Sequence, residues 1–63
     1  MLTPKELEVL NLVSRGLSTG KISEKLNISN NTVEGYRKIL LKKFHAKNSV
    51  ELVRKAFKEN WLT

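Results

Sequence analysis

Asn31, Glu34, Gly35, Lys38 and Lys42 recur at helical spacing, and Asn30, Thr32 and Arg37 lie along the margins of the same stripe. On one helix these residues make a polar, basic face that opens with short side chains and carries a glycine. Amides and lysines bond base edges and phosphate oxygens, and a glycine lets a backbone approach a ligand closely. Such a face suits a duplex groove. Lysines are also exposed in most proteins without doing anything specific, so the stripe alone favours a plain solvated helix. The elements that would carry the stripe must separate the two readings.

The remaining residues offer little other chemistry. The 63-residue chain has no cysteine and one histidine, His45, so neither a disulfide nor a zinc site is available. There is no glycine-rich phosphate loop, and the six carboxylates fall mostly at expected helix starts or exposed helix positions, where capping and solubility account for them. No catalytic residue, no metal and no cofactor is therefore expected, and the chain does not read as an enzyme. The missing cysteines fit a reducing cytoplasm. No apolar run approaches the roughly 20 residues that span a bilayer. Met1 leads straight into a capped helix, which argues against a signal peptide.

The length predicts one domain. Domains near this size bury only about 60% of the surface that their unfolded chain exposes, so packed helices and good caps must supply the stability. The net charge is +6 and the pI about 10.0, which restricts partners rather than fold: nucleic acid, an anionic membrane surface or an acidic protein. The charge is uneven. Lys21, Lys25, Arg37, Lys38, Lys42 and Lys43 face only Glu24 and Glu34 between residues 18 and 45, whereas cations and carboxylates balance over residues 1–17.

Four helix starts are written in the chain, at about 4–15, 19–26, 30–44 and 49–60, and no segment shows sustained period-two alternation, so an all-α fold without strands is predicted. Thr3-Pro4-Lys5-Glu6 combines a cap, a proline at the first helical position and a capping box, with Leu2 and Leu7 as a staple. Leu7, Val9, Leu10, Leu12 and Val13 form the apolar stripe, and Gly16 suits the left-handed residue that ends a helix. Ser18 caps a short second helix with Ile22 and Leu26 inward, although Gly20 weakens it. Ser29 caps a third, with Val33, Leu40, Leu41 and Phe44 inward and Tyr36 flanking. Asn48 with Glu51 caps a fourth, with Val53, Ala56, Phe57 and Trp61 apolar. Trp61 and Leu62 read as a lid over the first helix.

A short helix, a three-residue turn and a longer helix make a helix-turn-helix, whose second helix projects outward and fits the major groove of B-DNA. The first turn of that helix also offers backbone N–H groups to a phosphate. Joined to this frame, the basic stripe favours contact with double-stranded DNA over a merely solvated face.

At this point the sequence resembles the LuxR-type helix-turn-helix domain of the FixJ–NarL output class. The matching stretches are Leu2-Thr3-Pro4-Lys5-Glu6-Leu7-Glu8-Val9-Leu10, Gly16-Leu17-Ser18-Thr19-Gly20-Lys21-Ile22, Leu26-Asn27-Ile28-Ser29, Thr32-Val33-Glu34-Gly35-Tyr36, Lys43-Phe44 and Asn48. The resemblance implies a four-helix domain in transcription regulation whose third helix enters the major groove. It implies a homodimer through the fourth helix on two half-sites, formed in solution or only on DNA. It also implies a phosphorylatable receiver or a sensor domain elsewhere in the regulator, so the chain is read as an excised output domain or a stand-alone regulator. Carried over by position, Lys21 and Thr32 lie at the phosphate backbone, and Glu34, Gly35 and Lys38 face base edges. The family often has lysine or arginine where Glu34 stands and histidine where Tyr36 stands. Glu34 then shifts specificity, since a carboxylate can accept a hydrogen bond from cytosine N4.

The DNA-facing set is thus Thr19, Lys21, Asn30, Asn31, Thr32, Glu34, Gly35, Tyr36, Arg37, Lys38 and Lys42. Tyr36 bonds a phosphate or packs against the second helix, and Arg37 reaches the backbone or sits in water. Val50, Arg54 and Lys58 are the candidates for a dimer surface, against the simpler reading of a solvated face. His45 is expected on the surface, in the loop before the fourth helix. The alternative function is a basic helical module docking an acidic protein, which predicts weak DNA affinity indifferent to sequence. A membrane-surface role fits less well, because the core needs the apolar stripes.

Overall fold

The computed structural model describes residues 1–62 and holds four helices, α1 (Pro4–Ser14), α2 (Thr19–Leu26), α3 (Asn30–Lys43) and α4 (Ser49–Lys58), with no strand among the described residues. Each helix starts on a side chain that accepts a backbone N–H three residues on. Thr3 Oγ1 accepts from Glu6, Ser18 Oγ from Lys21, Ser29 Oγ from Thr32 and Asn48 Oδ1 from Glu51, at 2.9–3.3 Å. Losing one such cap to alanine typically costs about 1 kcal/mol. At α1 the box is closed, because Glu6 Oε1 accepts from the Thr3 N–H at 2.9 Å. At α4 the returning carboxylate lands one residue earlier, where Glu51 Oε1 accepts from the Lys47 N–H at 2.8 Å.

The four helix ends are also alike. Gly16 (φ 84°), Asn27 (φ 56°), His45 (φ 53°) and Asn60 (φ 66°) stand in the left-handed region just beyond each helix. The next residue then bonds back five positions: Leu17 to Leu12, Ile28 to Ser23, Ala46 to Leu41 and Trp61 to Ala56, at 2.8–3.3 Å. This is the Schellman arrangement, and its hydrophobic residue folds back over the helix end. Leu17, Ile28, Ala46 and Trp61 are all half-buried against the core. Three helices end slightly earlier than their periodicity suggested, because Arg15, Phe44 and Glu59 have ψ between 0 and 9° and close the last turn rather than extend it.

The core is built from Val9, Leu10, Leu12 and Val13 of α1, Ile22 of α2, Val33 and Leu40 of α3, and Leu52 and Ala56 of α4, completed by Phe44 and Leu62. Helices α1 and α3 each pack against all three others, whereas α2 and α4 do not meet. The radius of gyration is 10.6 Å. In α4 the expected apolar face is corrected. Phe57 is 47% exposed, and the buried line is Leu52–Ala56, four residues apart. Phe57 follows Ala56 directly and so is turned about 100° away from it. Leu62 is buried as expected, while Trp61 stays half-buried beside Met1, Leu2 and Phe44. Among the described residues no helix is long and apolar enough to cross a membrane.

Candidate nucleic-acid interface

The turn Asn27-Ile28-Ser29 sets the geometry of the site. Asn27 ends α2, Ile28 packs onto the core and Ser29 caps α3, so three residues turn the chain and fix the rotation of α3 about its own axis. That rotation is locked by Val33 and Leu40, both fully buried, with Phe44 below them. The opposite side of α3 must then face solvent.

Asn30, Asn31, Thr32, Glu34, Lys38 and Lys42 are all exposed there, and Gly35 is half-exposed among them. Lys21, on α2, is exposed as well. Thr32 helps to seal the first turn, since its hydroxyl lies 2.9 Å from Ser29 Oγ while its N–H donates to the same oxygen. An ideal Cβ placed on Gly35 meets no atom within 4 Å, so the fold itself does not require a glycine at this point.

Thr19, Glu34 and Arg37 have partners that the sequence does not reveal. The Thr19 hydroxyl donates a hydrogen bond to Glu34 Oε2, joining the first turn of α2 to the outward side of α3. Arg37 leaves the outward face: Nη2 donates to Ser49 Oγ at 2.6 Å and ties α3 to the first residue of α4. Tyr36 is half-buried and packs against the core.

Lys43, the last residue of α3, points the other way. Its Nζ donates to Glu6 Oε1 at 2.8 Å and to the Met1 carbonyl at 2.9 Å. Glu6 is 6% exposed, and the Lys43 ammonium, followed by the Thr3 N–H, holds its carboxyl below the usual carboxylate range. The cap at Glu6 is legible in sequence; its partner 37 residues away is not. Lys55 similarly donates to the His45 carbonyl at 2.9 Å and fastens α4 beneath the end of α3. His45 itself is exposed, as the sequence suggests. Arg37, Lys43 and Lys55 thus hold helices together, whereas Lys21, Lys38 and Lys42 make no ion pair among the described residues and stand exposed on the α2–α3 face.

On α4, Val50 is 69% exposed and stands in line with Val53 and Phe57, with Arg54 and Lys58 exposed alongside. Val50 and Val53 also border a shallow groove with Val13, Ser14, Gly16 and Ser49.

Comparison with known proteins bears on the same stretch of chain. The family model for bacterial regulatory proteins of the luxR family matches residues 1–56. The transcriptional regulatory protein DesR of Bacillus subtilis is 37% identical over 60 residues, which is 95% of this chain and 30% of DesR. The probable transcriptional regulator ycf29 of Cyanophora paradoxa is 44% identical over 61 residues, 97% of this chain and 29% of its own. The tetrathionate response regulatory protein TtrR of Salmonella typhimurium is 41% identical over 54 residues, 86% and 26% of the two chains. The chain therefore spans under a third of the length of these relatives. The resemblance carried by its helix starts and turns extends through the whole helix-turn-helix, and the chain belongs to the luxR family of bacterial regulatory proteins, as a DNA-binding domain of transcription regulation.

Proposed function

We propose that α3 lies in the major groove of duplex DNA and reads sequence there. Asn31, Glu34, Gly35 and Lys38 face base edges, Lys21, Asn30, Thr32 and Lys42 serve the flanking phosphates, and Thr19 stands at the same face bonded to Glu34. The observation that carries this reading is the exposed face of α3, whose cations are free of intramolecular ion pairs among the described residues, on a helix locked in rotation by Val33 and Leu40. Arg37 and Tyr36 act from behind, by holding α3 in place.

The domain forms the output end of a response regulator or a related sensor-regulator and acts in the cytoplasm, where a bacterial chromosome is reached. A receiver or sensor belongs to the rest of the regulator, as the share of the relatives left uncovered suggests. Two copies pair through α4 on two half-sites, a role that the exposed Val50 and Phe57 support. No catalytic step is assigned to it.

Selection of sites from a random duplex library near physiological salt tests this function. Two symmetric halves about one helical turn apart are expected. A slope of log K against log salt of roughly −4 per subunit corresponds to about 4 neutralised phosphates each. Lys38→Ala should weaken binding to the selected site more than to unrelated DNA. No enriched motif from folded protein would move the basic face to the alternative role, docking of an acidic protein.

A further inference from the structure

The hydrogen bond between Thr19 and Glu34 is the one polar link between the first turn of α2 and the outward face of α3 among the described residues. Lys38 stands one turn beyond Glu34, the favourable spacing for a glutamate–lysine pair on a helix, yet no ion pair joins them. The carboxylate turns instead to a neutral hydroxyl on the neighbouring helix. This leaves the Lys38 ammonium free and fixes the direction of Glu34 before any ligand arrives.

A carboxylate only accepts hydrogen bonds. Phosphates repel it, so on a helix lying in the groove Glu34 is directed away from the strands and toward base edges. There, the groups that donate are the exocyclic amines, cytosine N4 and adenine N6, whereas guanine N7 and O6 and thymine O4 are acceptors. Thr19 occupies Oε2 and leaves Oε1 for such an amine. An unrestrained glutamate would lose rotamer freedom on meeting a base; one already held by a hydroxyl loses less.

We propose that Thr19 is a positioning residue for base recognition: its hydroxyl holds Glu34 so that the second carboxylate oxygen accepts a hydrogen bond from an exocyclic amine in the major groove, with cytosine N4 the better match. This rests on α3 lying in the groove. It assigns to the threonine of α2, which does not itself touch the base, control of the preference at a single base position.

The test is site selection and competition binding with the wild type, Glu34→Ala, Thr19→Val and Thr19→Ser, each first checked for a cooperative thermal transition. The wild type is expected to select cytosine, or adenine, at one position of each half-site, about tenfold over guanine or thymine. Glu34→Ala should erase that preference and leave the other positions of the motif intact. Thr19→Val should reduce it severalfold, and Thr19→Ser, which keeps the hydroxyl, should restore it. A wild-type motif that Thr19→Val and Glu34→Ala leave unchanged would overturn the proposal while α3 remains the reading helix. A uniform loss of affinity in Thr19→Val, with the preference intact, would make Thr19 a phosphate contact and overturn it too. If the folded wild type selects no motif, the groove assignment fails and this inference fails with it.

Discussion

Lys43 Nζ lies 2.8 Å from Glu6 Oε1 and joins the end of α3 to the first turn of α1, across 37 residues of sequence. The same carboxylate oxygen closes the cap of α1. One charge therefore serves a local and a long-range bond together, and replacing it breaks both the start of one helix and the tether of another.

Acid should expose this coupling. The carboxyl of Glu6 is lowered by Lys43 and by the Thr3 N–H, so it is more acidic folded than unfolded. The unfolded chain binds the proton more readily, and stability falls as pH drops. The contribution of Glu6 is present above the ordinary glutamate range and is lost as pH falls through its lowered folded value. Urea midpoints of the wild type and Glu6→Gln should differ at neutral pH and converge in acid. A gap that persists unchanged in acid would assign the effect to packing rather than to charge.

His45 carries the φ of 53° that ends α3, where Gly16 does the same for α1. A left-handed conformation costs a side-chain-bearing residue on the order of 1–2 kcal/mol, offset in part by the greater freedom of glycine in the unfolded chain. The bond from Lys55 reaches the carbonyl of His45, so the side chain can be removed without breaking it. His45→Gly should stabilise the domain by roughly 0.5 kcal/mol, a rise of about 2–4 °C in Tm, and His45→Val should lower it. Calorimetry of the two variants decides; a lower Tm for the glycine variant would mean that the imidazole makes a stabilising contact.

Gly35 separates stability from function. Glycine inside a helix costs up to about 1 kcal/mol relative to alanine, and the space around this one is open. Gly35→Ala should therefore melt higher than the wild type. If α3 lies in the groove, the added methyl meets DNA, and affinity for the selected site should fall. Higher Tm with undiminished binding would place this turn of α3 out of reach of the bases.

The dimer can be tested apart from DNA reading. Val50 is exposed at the head of α4, in line with Phe57, and takes no part in the core. Val50→Asp should leave the thermal transition within about 0.5 kcal/mol of the wild type, as for most surface changes. Binding to an isolated half-site should survive, and the advantage of a two-half-site duplex should disappear. Equal preference for the double site in both proteins would remove α4 from the pairing surface.

Periodicity and capping chemistry locate all four helices because both are local. Thr3, Ser18, Ser29 and Asn48 each act within three residues, and Val33, Leu40 and Phe44 reveal their shared face through spacing alone. The outward face of α3 follows by elimination. Relations between helices leave no such trace. The pairing of Glu6 with Lys43, of Thr19 with Glu34 and of Arg37 with Ser49 depends on which helix ends meet in space. Arg37 looks like any cation at the margin of a basic stripe until Ser49 is seen beside it. Phe57 differs from its apolar pattern for a related reason: an aromatic on α4 satisfies that pattern, and only the packing of Leu52 and Ala56 against α1 and α3 turns it outward.

The turn at Asn27-Ile28-Ser29 also sets a phase. With the path of the turn kept, a residue added or removed there would move every residue of α3 by one helical position, about 100°, carrying Lys38 off the presented side and Val33 out of the core. The domain cannot change which bases it meets by altering the length of this turn. New specificity has to come by exchange of side chains at fixed angular positions such as 34, 35 and 38, within a frame that admits no change of length.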